Sequence, residues 1–313
     1  MKVDVSIVIV CMNNLRNLYP CLDSIKQYTK CSYEVLVVAY LFTKENLAQL
    51  KKDYLWITVI ESNVIRGFSE NNNLALKRAC GEYCFILNDD TFLKSEVVDD
   101  LVNSMNLLPS NAVIMSPNIL YPNGLPQICG RRRYTWLFWI LSLMKVDRLF
   151  LCKSEYEDQI GIFETYNISG AAFLIKTDIF RELGWFDEIY FFCPEDIALS
   201  DMINKKGMRC YVNSDIKLYH IASGTASKVQ MATMPAHTMG ALIFYSNNNI
   251  FLRYFLALLI FVIRGFFFAF HGMSFLFKRN ERAKILCKGN YNVCKTIFSR
   301  KTPKELFVRF YKR

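Results

Sequence analysis

Four stretches of the chain carry side chains able to do chemistry. Asn88-Asp89-Asp90-Thr91 closes the apolar run Phe85-Ile86-Leu87, so two carboxylates and an amide stand at the end of a predicted buried strand. Hard divalent cations take such oxygen donors, and a strand end holds them rigidly. A plain turn or a helix cap accounts for the same residues equally well. Cys193-Pro194-Glu195-Asp196 opens a predicted helix that runs on through Leu199 to Asn204. Carboxylates there suit the positive end of a helix dipole. Alternatively one is a general base, which an acceptor hydroxyl needs because its own pKa is very high. His220, one of three histidines, follows the strand-like Leu218-Tyr219 and reads either as a satisfied polar group or as a metal ligand. Arg131-Arg132-Arg133 is either a solvated loop or a fork for phosphate oxygens.

These groups need a scaffold, and the first half of the chain supplies one. Short β-branched runs at 5–10, 34–39, 58–61 and 83–87 alternate with amphipathic segments at 18–27, 45–52 and 71–79. That is a βαβαβαβ pattern and predicts a mostly parallel sheet flanked by helices. Ligands of such sheets bind outside the carboxyl ends of the strands, which singles out Asn13 and Asn14, Ala39 and Tyr40, Asn63, and Asn88 to Thr91. A helix is expected over 96–107 and a strand over 113–116. The Pro- and Gly-bearing stretch 121–130 reads as a mobile insert, and 168–176 as a strand feeding a helix at 178–183.

The order of these pieces resembles the family 2, GT-A-type glycosyltransferases, and among them the rhamnosyltransferase-like enzymes of bacterial surface polysaccharide synthesis. The residues that carry the likeness run from Val5-Ser6-Ile7-Val8-Ile9-Val10-Cys11-Met12-Asn13-Asn14 through Gly67-Phe68 to Asn73-Leu74, then Gly81-Glu82-Tyr83 and Leu87-Asn88-Asp89-Asp90-Thr91. They continue with Ser169-Gly170-Ala171-Ala172, Gly184-Trp185-Phe186-Asp187-Glu188, Glu195-Asp196 and Tyr219-His220, over about residues 3–250. The resemblance implies a GT-A fold, a nucleotide-diphosphate sugar donor and a divalent metal, Mn2+ or Mg2+. Asp90 would bind the metal with His220 approaching from the other side, and Asn88 or Asp89 would lie near the ribose or the metal. Asp196 would be the base that activates an acceptor hydroxyl, oriented by Glu195. Asn13, Tyr40, Asn73, Gly170 and Ala171 complete the donor-binding set, Tyr40 by stacking on the base. A single base opposite the leaving diphosphate implies inversion at the anomeric carbon. The sequence departs from the family pattern at Ala39 and Ala198, where members usually carry Asp. That departure keeps a catalytically inactive, glycan-binding or scaffold member as the alternative.

Charge and hydropathy bound the remaining possibilities. Residues 278–313 hold twelve Lys/Arg and two Asp/Glu, which equals the net +10 of the whole chain, so 1–277 is balanced. A nucleic-acid enzyme would spread basic residues over its working surface, and a nucleotidyltransferase would show a Gly-rich basic loop before Asn63; neither is present. The basic tail follows an intensely apolar stretch, 251–277, in which Arg253, Arg264, His271 and Lys278 recur within about 40° of one another at helical spacing. One polar stripe along an apolar helix, or pair of helices, favours a segment lying in a membrane interface beside anionic lipid over a transmembrane span, the other alternative being that the phenylalanines cover the catalytic domain. The expected division is a catalytic domain at 1–245 and an apolar helical, basic segment at 246–313. Eleven cysteines without paired spacing, and no secretory pattern near Val5, predict a cytoplasmic protein, peripheral or monotopic on the inner face of the membrane.

Overall fold

The computed structural model describes residues 2–146, 159–222 and 229–311, together with the backbone but not the side chain of Lys278. Two compact units divide them: residues 2–133, 159–187 and 195–222 form one, and residues 134–146, 188–194 and 229–311 the other.

The first unit begins as its hydropathy pattern predicts. β1 (Val5–Met12), α1 (Leu15–Tyr28), β2 (Tyr33–Tyr40), α2 (Lys44–Asp53), β3 (Thr58–Ser62), α3 (Phe68–Leu76) and β4 (Tyr83–Asn88) alternate without interruption. The strands are continuous apolar runs because both faces of a parallel sheet are covered. Val35, Val37 and Phe85 pack with α1 on one face, while Val8, Leu36 and Ile86 pack with α3 and a second helix on the other. β5 (Thr91–Phe92), α4 (Val97–Asn106), β6 (Ala112–Leu120), β7 (Gly130–Arg131), β8 (Ile162–Thr165), β9 (Asn167–Ile168), β10 (Ala172–Lys176), α6 (Thr177–Glu182), α7 (Glu195–Lys205) and β11 (Arg209–His220) complete it. Among the described residues nine strands share one sheet, in the order β3-β2-β1-β4-β10-β6-β11-β5 with β8 beside β11. β10 runs antiparallel to both its neighbours, and β11 is parallel to β6. The sheet is therefore mostly parallel, as expected.

Two expectations shift in detail. The strand predicted over 168–176 is broken into β9 and β10 by a turn at Ser169–Ala171. The stretch 121–130 folds back on itself: Gly124, at φ +85°, donates its N–H to Tyr121 O, and Gln127 N donates to Ile119 O at 2.7 Å. That hairpin returns the chain beside β6, so Gln127 is held by its backbone.

The second unit is helical. α5 (Trp136–Leu143), α8 (Gln230–Ser246), α9 (Ile250–Lys278), α10 (Glu281–Thr296) and α11 (Pro303–Tyr311) bury Trp139, Met239, Leu242, Leu256, Ile260, Val293 and Leu306 in a common core. α9 is one helix of 29 residues, about 43 Å long, rather than a pair. Two residues of its polar stripe are turned inward: Arg264 donates to Asn290 Oδ1 of α10 at 3.4 Å, and Arg253 reaches Met239 Sδ of α8 at 3.8 Å. The outward face is apolar along its whole length, with Phe251, Phe255, Leu258, Val262, Phe266 and Met273 exposed.

Candidate active site

Four strand ends meet at the carboxyl edge of the sheet. Val10 of β1 pairs with Asn88 of β4, and Met12 pairs with Tyr40 of β2. Beyond β4 the chain turns through Asp89 and Asp90 into β5, where Thr91 pairs with His220, the last residue of β11. The turn is tied down from within, because Thr91 Oγ1 donates to Asn88 O at 2.8 Å and Ile221 N donates to Asp90 O at 2.9 Å. This brings His220 Nε2 within 3.1 Å of Asp90 Oδ1, with the Asp90 side chain 8 % and the His220 side chain 12 % exposed. Asn88 Nδ2 lies 3.4 Å from the same ring nitrogen.

Asp89 points elsewhere, toward the Cys11 thiol of β1. Burial pushes its carboxyl up to about 6; the Cys11 hydrogen bond opposes that shift and the Asp90 charge adds to it. One carboxylate of the pair is thus turned to His220 and the other to the sheet interior.

The second acidic group is linked to the first by backbone. Asn88 N donates to Ala171 O at 3.0 Å, and the adjacent Gly170 N donates to Asp196 Oδ2 at 3.1 Å. The other Asp196 oxygen accepts from Ile197 N at 2.8 Å. Gly170 lies close to this carboxylate: a Cβ there would meet the Asp196 Cβ at 3.4 Å, an ordinary van der Waals contact. Glu195, at the first turn of α7, is 7 % exposed. Asp90, Asn88, Ala171, Gly170 and Asp196 are therefore joined along the edge of one sheet.

Three residues of the expected donor-binding set are engaged with neighbouring elements. Asn13, in the left-handed region at φ 48°, accepts through Oδ1 from Thr43 N at 3.1 Å and from Asn46 Nδ2 at 2.9 Å, which fastens the start of α2. Tyr40 is 7 % exposed, and its hydroxyl accepts from Arg66 N at 3.2 Å. Asn73 of α3 is engaged at both ends of its amide, donating to Phe186 O at 2.9 Å and accepting from Phe186 N at 3.2 Å. Of the basic triplet, Arg131 lies in β7, while Arg133 stacks over Tyr166 and approaches Asp201 at 3.9 Å.

Gln127 is the residue that sequence reasoning passes over. Its Nε2 donates to His220 O at 2.7 Å and its Oε1 lies 2.8 Å from His220 Nδ1. A glutamine in an irregular loop, 93 positions from its partner, leaves no periodic or motif signal.

The donor set at Asp90 and His220 fits a divalent ion. Carboxylate oxygen and imidazole nitrogen are both ligands for Mn2+, and a separation of 3.1 Å is close to the roughly 3 Å between neighbouring ligands of an octahedral ion. Among the described residues no group of three His, Cys, Asp or Glu side chains gathers. A complete all-protein cage is not what this edge offers.

Comparison with known proteins gives a consistent picture. The family described as Glycosyl transferase family 2 matches residues 6–184. The chain is 24 % identical over 230 residues to the O-antigen biosynthesis protein RfbC of Myxococcus xanthus, covering 71 % of this chain and 17 % of that protein. It is 27 % identical over 188 residues to a Bacillus subtilis protein named uncharacterized glycosyltransferase YwdF, covering 58 % of this chain and 62 % of that one. A third relative is N-acetylglucosaminyl-diphospho-decaprenol L-rhamnosyltransferase of Mycobacterium tuberculosis, 32 % identical over 83 residues, or 26 % of this chain and 27 % of the relative. The chain thus spans less than two thirds of the length of each. Among solved structures, the fold is shared with GalNAc-T7 in complex with UDP, GalNAc and Mn2+, at TM-score 0.57 and 18 % identity over 70 % of this chain and 44 % of that one. It is shared also with the Pyrobaculum calidifontis mannosyltransferase PcManGT in complex with GDP-Man and Mn2+, at TM-score 0.54 and 14 % identity over 96 % and 89 %.

Proposed function

The chain belongs to glycosyl transferase family 2, and from that membership we propose that it transfers a sugar, rhamnose or a hexose, from a nucleotide-diphosphate donor to a hydroxyl of a lipid-linked or growing glycan in cell-surface polysaccharide synthesis. The observation that carries the proposal is the Asp90–His220 pair, 3.1 Å apart at the sheet edge and linked through Asn88 and Ala171 to the turn that holds Asp196.

In this reading Asp90 and His220 are the residues that would hold a divalent metal, Mn2+ or Mg2+. The ion, when bound, stabilises the negative charge of the departing nucleoside diphosphate as a Lewis acid. Asp196 takes the proton of the acceptor hydroxyl as that oxygen attacks the anomeric carbon, and Glu195 orients it. The Gly170 amide fixes the Asp196 carboxylate, and the turn of small residues at Gly170 and Ala171 lets the backbone approach the sugar closely. One base facing the leaving group gives inversion. Asn13, Tyr40 and Asn73 shape the donor pocket, with Asn88 and Asp89 nearest the ribose.

Membrane attachment is the second part of the proposal. Residues 250–277 are apolar and long enough to cross a bilayer by length and composition, yet Arg264 and Arg253 of their polar stripe face α10 and α8 and their apolar face is open. A monotopic helix with that face in the lipid, on the cytoplasmic side, accommodates both. A cavity of about 350 Å³ between Arg253 and Tyr254 of α9 and Phe298, Ser299 and Arg300 lies along that helix, and the net positive tail complements anionic lipid.

Ala39 favours a second reading. It is 1 % exposed and offers no polar atom where family members usually carry a nucleotide-contacting Asp, which would suit an inactive glycan-binding or scaffold protein. Calorimetric titration of nucleoside diphosphates with and without Mn2+ separates the two. Metal-dependent binding that Asp90→Ala abolishes supports the transferase, and no binding by folded wild-type protein moves the reading to the inactive form.

A further inference from the structure

We propose that Gln127 is a positioning residue that fixes the tautomer of His220, keeping Nδ1 protonated so that Nε2 presents its lone pair beside Asp90. The proposal rests on the reading of Asp90 and His220 as metal ligands and assigns a role to a residue outside them.

The bonding around Gln127 leaves one solution. A backbone carbonyl can only accept, so the end of the Gln127 side chain 2.7 Å from His220 O is the NH2 group. The other end is then the amide oxygen, which is also only an acceptor, and it lies 2.8 Å from His220 Nδ1. Nδ1 must therefore carry the hydrogen. One glutamine reads the main chain and the ring of the same histidine, so the ring cannot flip without breaking a bond that its own carbonyl has oriented. The clamp is itself anchored, because Gln127 N donates to Ile119 O at 2.7 Å beside β6.

The consequence falls on the opposite nitrogen. In the neutral ring Nε2 has only a lone pair, and it faces Asp90 Oδ1 at 3.1 Å and the Asn88 amide nitrogen at 3.4 Å. A lone pair set against a carboxylate oxygen is an arrangement that a shared cation satisfies. A histidine that ligates through one nitrogen commonly donates its other N–H to an acceptor that sets ring orientation, and loss of such an acceptor typically weakens metal affinity by about 10- to 100-fold.

The chain's three histidines make the tautomer directly readable. Ring-labelled ¹⁵N-histidine spectra of metal-free protein at mildly alkaline pH, with His220 assigned by its loss in His220→Asn, should show Nδ1 protonated and Nε2 bare. In Gln127→Leu the ring should shift toward the Nε2-protonated form, and Mn2+ affinity, read by electron paramagnetic resonance in the presence of a nucleoside diphosphate, should fall by about 10- to 100-fold. Gln127→Glu, which keeps an acceptor for Nδ1–H but loses the donor to His220 O, should hold the wild-type tautomer with a less firmly oriented ring. A wild-type His220 protonated at Nε2 alone, or a Gln127→Leu protein with unchanged tautomer and unchanged Mn2+ affinity, overturns the proposal. If wild-type protein binds no Mn2+, the metal reading falls by itself and the tautomer spectra still decide the role of Gln127.

Discussion

Asp196 is held by two backbone amides, Gly170 N at 3.1 Å and Ile197 N at 2.8 Å, and this makes its charge separable from its shape. Asp196→Asn keeps one amide oxygen to accept one of these bonds, so stability should drop by only about 1 kcal/mol. Its basicity is gone, and turnover should fall by about 10²- to 10⁴-fold with donor affinity unchanged, measured as kcat beside calorimetric Kd. A matching loss of donor affinity would place Asp196 in binding instead. At this scale the sequence was partly legible. Asp90, Asp196 and His220 stand at ends of strongly patterned elements, where position in the fold follows from periodicity. Gln127 could not be read, because its role comes from a hairpin that sets it against a strand 93 positions away. Asn73 shows the opposite case: its place in a recognisable segment was visible, but not that its amide would be engaged with both backbone groups of Phe186.

At the scale of elements, β4 works as a lever with the acidic turn at one end and Gly81 at the other. A Cβ on Gly81 would lie 2.5 Å from Ser6 N and 2.7 Å from Val5 C, both backbone atoms of the neighbouring β1. Neither can move aside as a flexible side chain would. Gly81→Ala should therefore destabilise the protein by about 1–3 kcal/mol in chemical denaturation. Nucleoside diphosphate binding by the protein that remains folded reads whether the shift passes along β4 to Asn88 and Asp90, and it should weaken. Unaltered stability would mean that β1 and β4 separate without cost. The alternation of β1 to β4 with α1 to α3 was legible because buried parallel strands are unbroken β-branched runs. The break between β9 and β10 was not, since a Ser169-Gly170 pair between apolar runs reads equally as a bulge within one strand.

For the whole molecule, the uneven charge is the property that an interaction with lipid would use. Residues 1–277 are balanced and the last 36 carry the entire net +10, next to a helix whose open face is apolar. The full chain should pellet with vesicles containing anionic phospholipid more than with neutral ones, and high salt should weaken the difference. Phe255→Ser with Val262→Ser, both exposed, should reduce pelleting with little change in thermal stability. Equal pelleting of that variant would remove α9 from the membrane contact. The sequence announced the polar stripe of α9 but not its direction, because an isolated helix cannot say which of its faces a neighbour will cover. Another consequence lies in the pairing of Thr91 with His220. Asp90 is made early on the ribosome and its partner only 130 residues later, on the last strand to enter the sheet. Every nascent chain that has not yet grown past β11 lacks the pair, so this edge of the sheet is completed late in synthesis and in one step.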